Sequence, residues 1–102
     1  MAKGYIVARV SVHDSDAYLN YIKGARIAMA KYGATVLAAG GASESLEGSM
    51  RERNVILQFD SVEQAKTYFN SPEYQEARQN RIAPGVAEAE IVVIEGVEES
   101  HG

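Results

Sequence analysis

The chain contains no cysteine. Disulfides, thiol nucleophiles and cysteine-ligated metals are excluded, and the composition suits a reducing compartment. Its two histidines, His13 and His101, lie far apart in the sequence, so no metal centre is expected. Apolar runs of membrane-spanning length are missing, and the first residues, MAKGYIVARV, lack the long apolar core of a signal peptide. The expected location is the cytoplasm, with no membrane partner. A basic face is missing too: acidic side chains outnumber basic ones and the net charge is −4, which disfavours non-specific binding to nucleic acid. The glycine-bounded stretch GGASESLEG has no G-K-[ST] and no helix directly after it, so it is not a phosphate loop. No serine has a recognisable histidine and acid partnership, and no cofactor is expected.

With 102 residues, 46% of them hydrophobic, the chain suits one ordered domain, read here as residues 1–102 with a frayed tail after position 97. Gly4–Val12 reads as a strand in which Ile6, Ala8, Val10 and Val12 alternate with Tyr5, Val7, Arg9 and Ser11. Asp14 is placed to cap the next helix, and Asp16 adds negative charge where the helix dipole favours it. Tyr18, Ile22, Ala25, Met29 and Tyr32 follow at four-three-four-three spacing, and Gly33 ends the helix. Ala34–Gly41 reads as a second strand, Ala42–Glu52 as a polar connection, and Arg53–Ser61 as a third strand. Ser61 and Gln64 form an S-x-x-Q capping box opening a second helix. Pro84-Gly85 marks a turn before the last strand, Ala87–Val97.

One of the two prolines interrupts this second helix. Its apolar stripe, Val62, Ala65 and Phe69, would continue onto Pro72 or Glu73 and then Glu76, so the phase fails. Ser71-Pro72 therefore reads as a restart, with Ser71 as N-cap and Pro72 at the first helical position, where its missing N–H costs nothing. The new segment, Glu73 to about Ile82, carries Tyr74, Arg78 and Arg81 on one face.

The order β-α-β-β-α-β is the ferredoxin-like α+β arrangement, a four-stranded antiparallel sheet with helices on one face. A sheet covered on one face alternates apolar and polar residues. Val36–Ala39, Val55–Leu57 and Ile91–Ile94 are instead apolar at consecutive positions. Both faces are then expected to be covered, the second by another copy of the chain in a homodimer through sheet faces; the plainer reading is short central-strand runs with one partly exposed apolar face.

The stretches KGYIVARVSVHDSDAYLNY and NSPEYQEARQNR, the pair Gly40-Gly41 and the LEG at Leu46–Gly48 resemble domain of unknown function family 1330 over nearly the whole chain, from Lys3 to Val97. The resemblance implies the dimeric α+β barrel superfamily, in which two ferredoxin-like sheets pack face to face. It implies no reaction, because the family has none established. Small monooxygenases, lactone isomerases and stress-response proteins share that barrel, but their chemistry does not transfer with the fold.

The polar residues open to chemistry are Tyr18, Tyr21, Glu47, Arg53, Tyr74, Arg78 and Arg81, with His13 at the junction of the first strand and helix. Glu47, before Gly48, and His13 are the candidate catalytic groups, each with the pKa range or placement of a base. Tyr18, Arg53, Tyr74 and Arg81 are the candidate binding groups: phenols donate hydrogen bonds and arginine clamps a carboxylate. Glu47 and Arg53 are expected to meet across the glycine-bounded connection. Each residue also has a plainer reading: Glu47 as a surface acid or ion-pair partner of Arg53, His13 as a polar loop residue, the tyrosines as core. Two functions therefore remain open. One is a protein that binds or transforms a small acidic or aromatic molecule between sheet and helices. The other is a non-catalytic structural homodimer. A cavity above about 300 Å³ in which Glu47, Arg53 and a tyrosine converge would favour the first.

Overall fold

The computed structural model describes residues 2–98. Residues 99–102 of the expected frayed tail, and His101 with them, lie outside the described residues. The elements are β1 (Gly4–Val12), α1 (Ser15–Tyr32), β2 (Thr35–Ala39), β3 (Arg53–Phe59), α2 (Val62–Phe69), α3 (Pro72–Ile82) and β4 (Ala87–Glu95). The four strands form one antiparallel sheet in the order β2-β3-β1-β4. The chain is thus ferredoxin-like. Among the described residues no helix is long and apolar enough to cross a membrane.

Strand parity decides what each side of the sheet presents. In the register of β1 against its neighbours, Ile6 lies opposite Leu57 and Val93, and Ala8 opposite Val55 and Ile91. Ile6, Val10, Leu57 and Phe59 are buried on the helix-facing side, where Ala25 and Ala28 of α1 and Ala65 and Tyr68 of α2 meet them. The alternate positions face away. Ile56, Val92 and Ile94 are exposed there.

Two expectations are corrected here. The sheet is open and does not form a barrel: the outer strands β2 and β4 do not pair with each other. β2 is only five residues long, exposed throughout and bulged between Val36 and Ala38, so it is a strand end to the sheet rather than a seam. A barrel needs its outer strands joined, with a matched tilt and stagger. The homodimer of the same reading is likewise not displayed, since the structure is of one chain whose second sheet face is open. The consecutive apolar residues of β3 and β4 are covered on the helix-facing side alone, and Ile56, Val92 and Ile94 stay exposed on the other.

The helix ends follow local chemistry closely. Asp14 accepts a hydrogen bond from the Ala17 N–H, and Gly33 closes α1 in the left-handed region at φ 75°. Ser61 accepts from the Gln64 N–H, but the reciprocal half of the expected capping box is absent: the Gln64 amide donates to the Tyr32 carbonyl, 2.8 Å away. That bond ties α2 to the end of α1 and is available only once the two helices are packed. The restart at Ser71-Pro72 is real. The Ser71 hydroxyl donates to the Tyr68 carbonyl at 2.7 Å and accepts from the Tyr74 N–H at 3.1 Å, so one buried side chain ends α2 and begins α3. Ser71→Ala removes both bonds and is expected to cost about 1–2 kcal/mol in urea unfolding. A variant as stable as the wild type would remove Ser71 as the pivot.

The turned α3 packs on α1. Gly24 permits the close crossing, because a Cβ there would lie 2.7 Å from the Ala77 Cβ. Glu73 in the first turn of α3 accepts from Lys31 and from the Tyr32 hydroxyl at the end of α1. The hydrogen bond from Lys31, then the backbone and Tyr32, hold its carboxyl down to about 2. A depressed folded-state pKa contributes stability that is present above the ordinary carboxylate range. That stability is lost as pH falls through about 4.5 towards about 2. Glu73→Gln is therefore expected to flatten the acid limb of the stability profile in that window. An unaltered acid limb would count against it.

Candidate functional site

Arg53 is the first residue of β3 and shares parity with Val55, Leu57 and Phe59. It therefore lies on the helix-facing side of the sheet, opposite Val10. A guanidinium on that side is the unusual feature of the layer, since charge is rarely left there unpaired. Tyr18 stands in the first turn of α1 and Tyr21 one turn later. Tyr74 stands in the first turn of α3 and Arg81 two turns on, on the same face. The turn at Ser71-Pro72 aims Tyr74 and Arg81 at α1 and not along the α2 stripe.

These residues line a cavity of about 120 Å³ between the sheet and the helices. Tyr68, Phe69, Ile6, Ala8, Val55, Leu57 and Ile91 supply its apolar wall, and it extends to Arg26 and Met29 of α1 beside Val36 and Ala39 of β2. The rings pack on one another: Tyr18 and Tyr21 centroids are 5.1 Å apart, and Tyr74 lies 4.9 Å from Tyr68 and 5.0 Å from Phe69. The Tyr21 and Tyr74 hydroxyls are 2.9 Å apart, and Arg81 Nη2 donates to the Tyr74 oxygen over a long 3.4 Å. The Arg81 guanidinium lies over the Tyr21 ring at 5.3 Å, and that of Arg53 over the Tyr18 ring at 5.6 Å.

Arg81 is only 8% exposed, and the Nε atoms of Arg53 and Arg81 are buried without a hydrogen-bond partner. No carboxylate pairs with either arginine among the described residues. Burial raises the pKa of Tyr18, Tyr21 and Tyr68, with Arg53 opposing it at Tyr18 and Tyr74 reinforcing it at Tyr21, so the phenols stay protonated donors. Burial also works against the charge on Arg81, but Tyr74 and Tyr21 outweigh it and its pKa is raised. The cluster is thus donor-rich, positively charged and set in an apolar wall. Gly40 has a part in it: its φ is 71°, and Arg53 Nη1 occupies the place where a Cβ would stand.

The structure brings together Tyr18, Arg53, Tyr74 and Arg81. It does not bring Glu47 to them. Glu47 is exposed on the connection between β2 and β3, lines no part of this cavity and makes no ion pair with Arg53. His13 also stands apart, at the end of β1, with Nε2 3.1 Å from Glu88 Oε2 and its backbone N–H on the Val86 carbonyl. The cavity is smaller than the 300 Å³ looked for. Tyr68 escaped the sequence reading, though it follows Ala65 by one helical turn on the buried face of α2. Tyr21 was among the polar residues considered but not among the binding set; its place one turn after Tyr18 was the available signal.

Solved structures with the same fold share little sequence with this chain. A protein of unknown function from Rhodopseudomonas palustris superposes with a TM-score of 0.76 at 17% identity, covering 95% of this chain and 84% of that one. A dimeric ferredoxin-like protein of unknown function from Thermobifida fusca gives 0.55 at 17% identity, covering 91% and 90%. A dimeric protein of unknown function with a ferredoxin-like fold from Bacteroides fragilis gives 0.54 at 16% identity, covering 91% and 95%. Among curated proteins, none matches. The family described as "Domain of unknown function (DUF1330)" matches residues 3–97, so the chain belongs to that family.

Proposed function

We propose that the chain binds a small organic acid in the cavity between its sheet and helices. The observation that supports this is a pair of guanidinium groups, Arg53 and Arg81, facing an apolar, tyrosine-walled space with no carboxylate partner among the described residues. Burying unpaired charge costs several kcal/mol on the order-of-magnitude scale of buried ion pairs, and an anionic ligand offsets that cost. A cavity of about 120 Å³, at roughly 10–15 Å³ for each water-sized sphere, holds a molecule of on the order of ten non-hydrogen atoms. Tyr18, Arg53, Tyr74 and Arg81 are the binding residues of this reading. The direct test is thermal unfolding with benzoate and with neutral benzamide. Benzoate at about a hundred times its dissociation constant should stabilise by roughly 2.7 kcal/mol, and benzamide should do nothing. Equal effects of the two, or no effect of any small carboxylate at millimolar concentration, would leave the structural reading in its place.

A second copy of the chain is the partner we propose for the outer sheet face. Ile56, Val92 and Ile94 are exposed there together, and two solved structures of the same fold are described as dimeric. Sedimentation at micromolar concentration tests it, and a stable monomer removes it.

A further inference from the structure

We propose that the cavity selects a small aromatic acid carrying a second oxygen, such as a hydroxy-substituted benzoate, through a hydroxyl proton that the Tyr21–Tyr74 pair does not itself use. This rests on the acid-binding reading above. Two phenols bring two O–H protons. With the oxygens 2.9 Å apart, one proton lies between them, whichever oxygen owns it. Arg81 adds a donor to the Tyr74 oxygen and has no lone pair to accept one. The remaining O–H has no acceptor in the cluster. Tyr74 is 2% exposed and wedged between Tyr68 and Phe69, so its hydroxyl is not free to turn towards water, while Tyr21 beside it is half-buried.

A buried donor left unmade is costly, and a ligand oxygen at this point satisfies it. The Arg81 guanidinium over the Tyr21 ring adds positive potential that draws an oxygen bearing negative charge. Arg53, standing by Tyr18, remains for the carboxylate. Ala8, Val55 and Ile91 line the same cavity and favour a ring over a polar chain. The ligand class therefore has a carboxylate, an apolar ring and one further oxygen acceptor.

Titration calorimetry of the wild-type chain with benzoate and with 2-, 3- and 4-hydroxybenzoate tests this. At least one hydroxy isomer should bind about tenfold more tightly than benzoate. Tyr21→Phe and Tyr74→Phe should each keep that preference, because removing one phenol frees the proton of the other. The double variant should lose it, so that benzoate and its three hydroxy isomers bind with one common affinity. Benzoate and all three isomers binding alike would overturn this inference and leave the acid-binding reading standing. No binding by any of them would overturn both. If the double variant does not fold, the wild-type ranking and the single variants still decide: a preference lost in either single variant contradicts the shared proton.

Discussion

Arg81→Met is expected to abolish benzoate binding and to leave the ligand-free protein as stable as before, or more so. The two effects have one cause. Arg81 is 8% exposed, its Nε has no partner, and its contacts include the Tyr74 hydroxyl at 3.4 Å and the face of the Tyr21 ring. Methionine fills similar space without a buried charge, so the empty cavity loses a desolvation cost. The bound carboxylate loses a charge partner inside a low-dielectric wall, which for truncated buried pairs costs about 2–5 kcal/mol, or roughly 30- to 5,000-fold in affinity. Calorimetry for binding and urea unfolding for stability read the two separately. A variant that binds normally but unfolds more readily would make Arg81 a structural residue and remove it from the site.

Gly4→Ala is expected to be among the most damaging single-methyl additions in the chain. A Cβ at Gly4 would run into the Ser61 carbonyl and the Val62 N atom, which are backbone at the start of α2 and have no rotamer to change. Relief requires moving β1 or α2. That move would disturb Ile6 and Ala65, both buried in the core between them. Overpacking against side chains typically costs about 1–3 kcal/mol, and against backbone we expect about 3 kcal/mol or more, a large share of a small domain's stability. Gly41→Ala is the control, since nothing lies within 4 Å of a Cβ there and its φ is not in the left-handed region. Equal losses from the two substitutions in urea unfolding would show that the strand–helix approach at Gly4 is not the cause.

The local rules written in the sequence carried a long way. Strand alternation, the Asp14 and Ser61 caps, the left-handed Gly33 and the restart at Ser71-Pro72 are all decided by neighbours a few residues apart, so a linear reading captures them. Parity even places Arg53 on the helix-facing side of β3, since Leu57 and Phe59 are two and three steps of two away. Other features depend on residues that only packing brings together. Tyr21 and Tyr74 meet because the restart swings α3 against α1, and Gln64 finds the Tyr32 carbonyl instead of its own helix end. The Glu47 connection has neither strand nor helix periodicity to say where it lies, and the structure leaves Glu47 in solvent away from Arg53. The apolar runs of β3 and β4 state that a face repels water but not what covers it. Whether a sheet closes is decided at its outer strands, and there the short, bulged β2 and the unpaired edge of β4 leave it open.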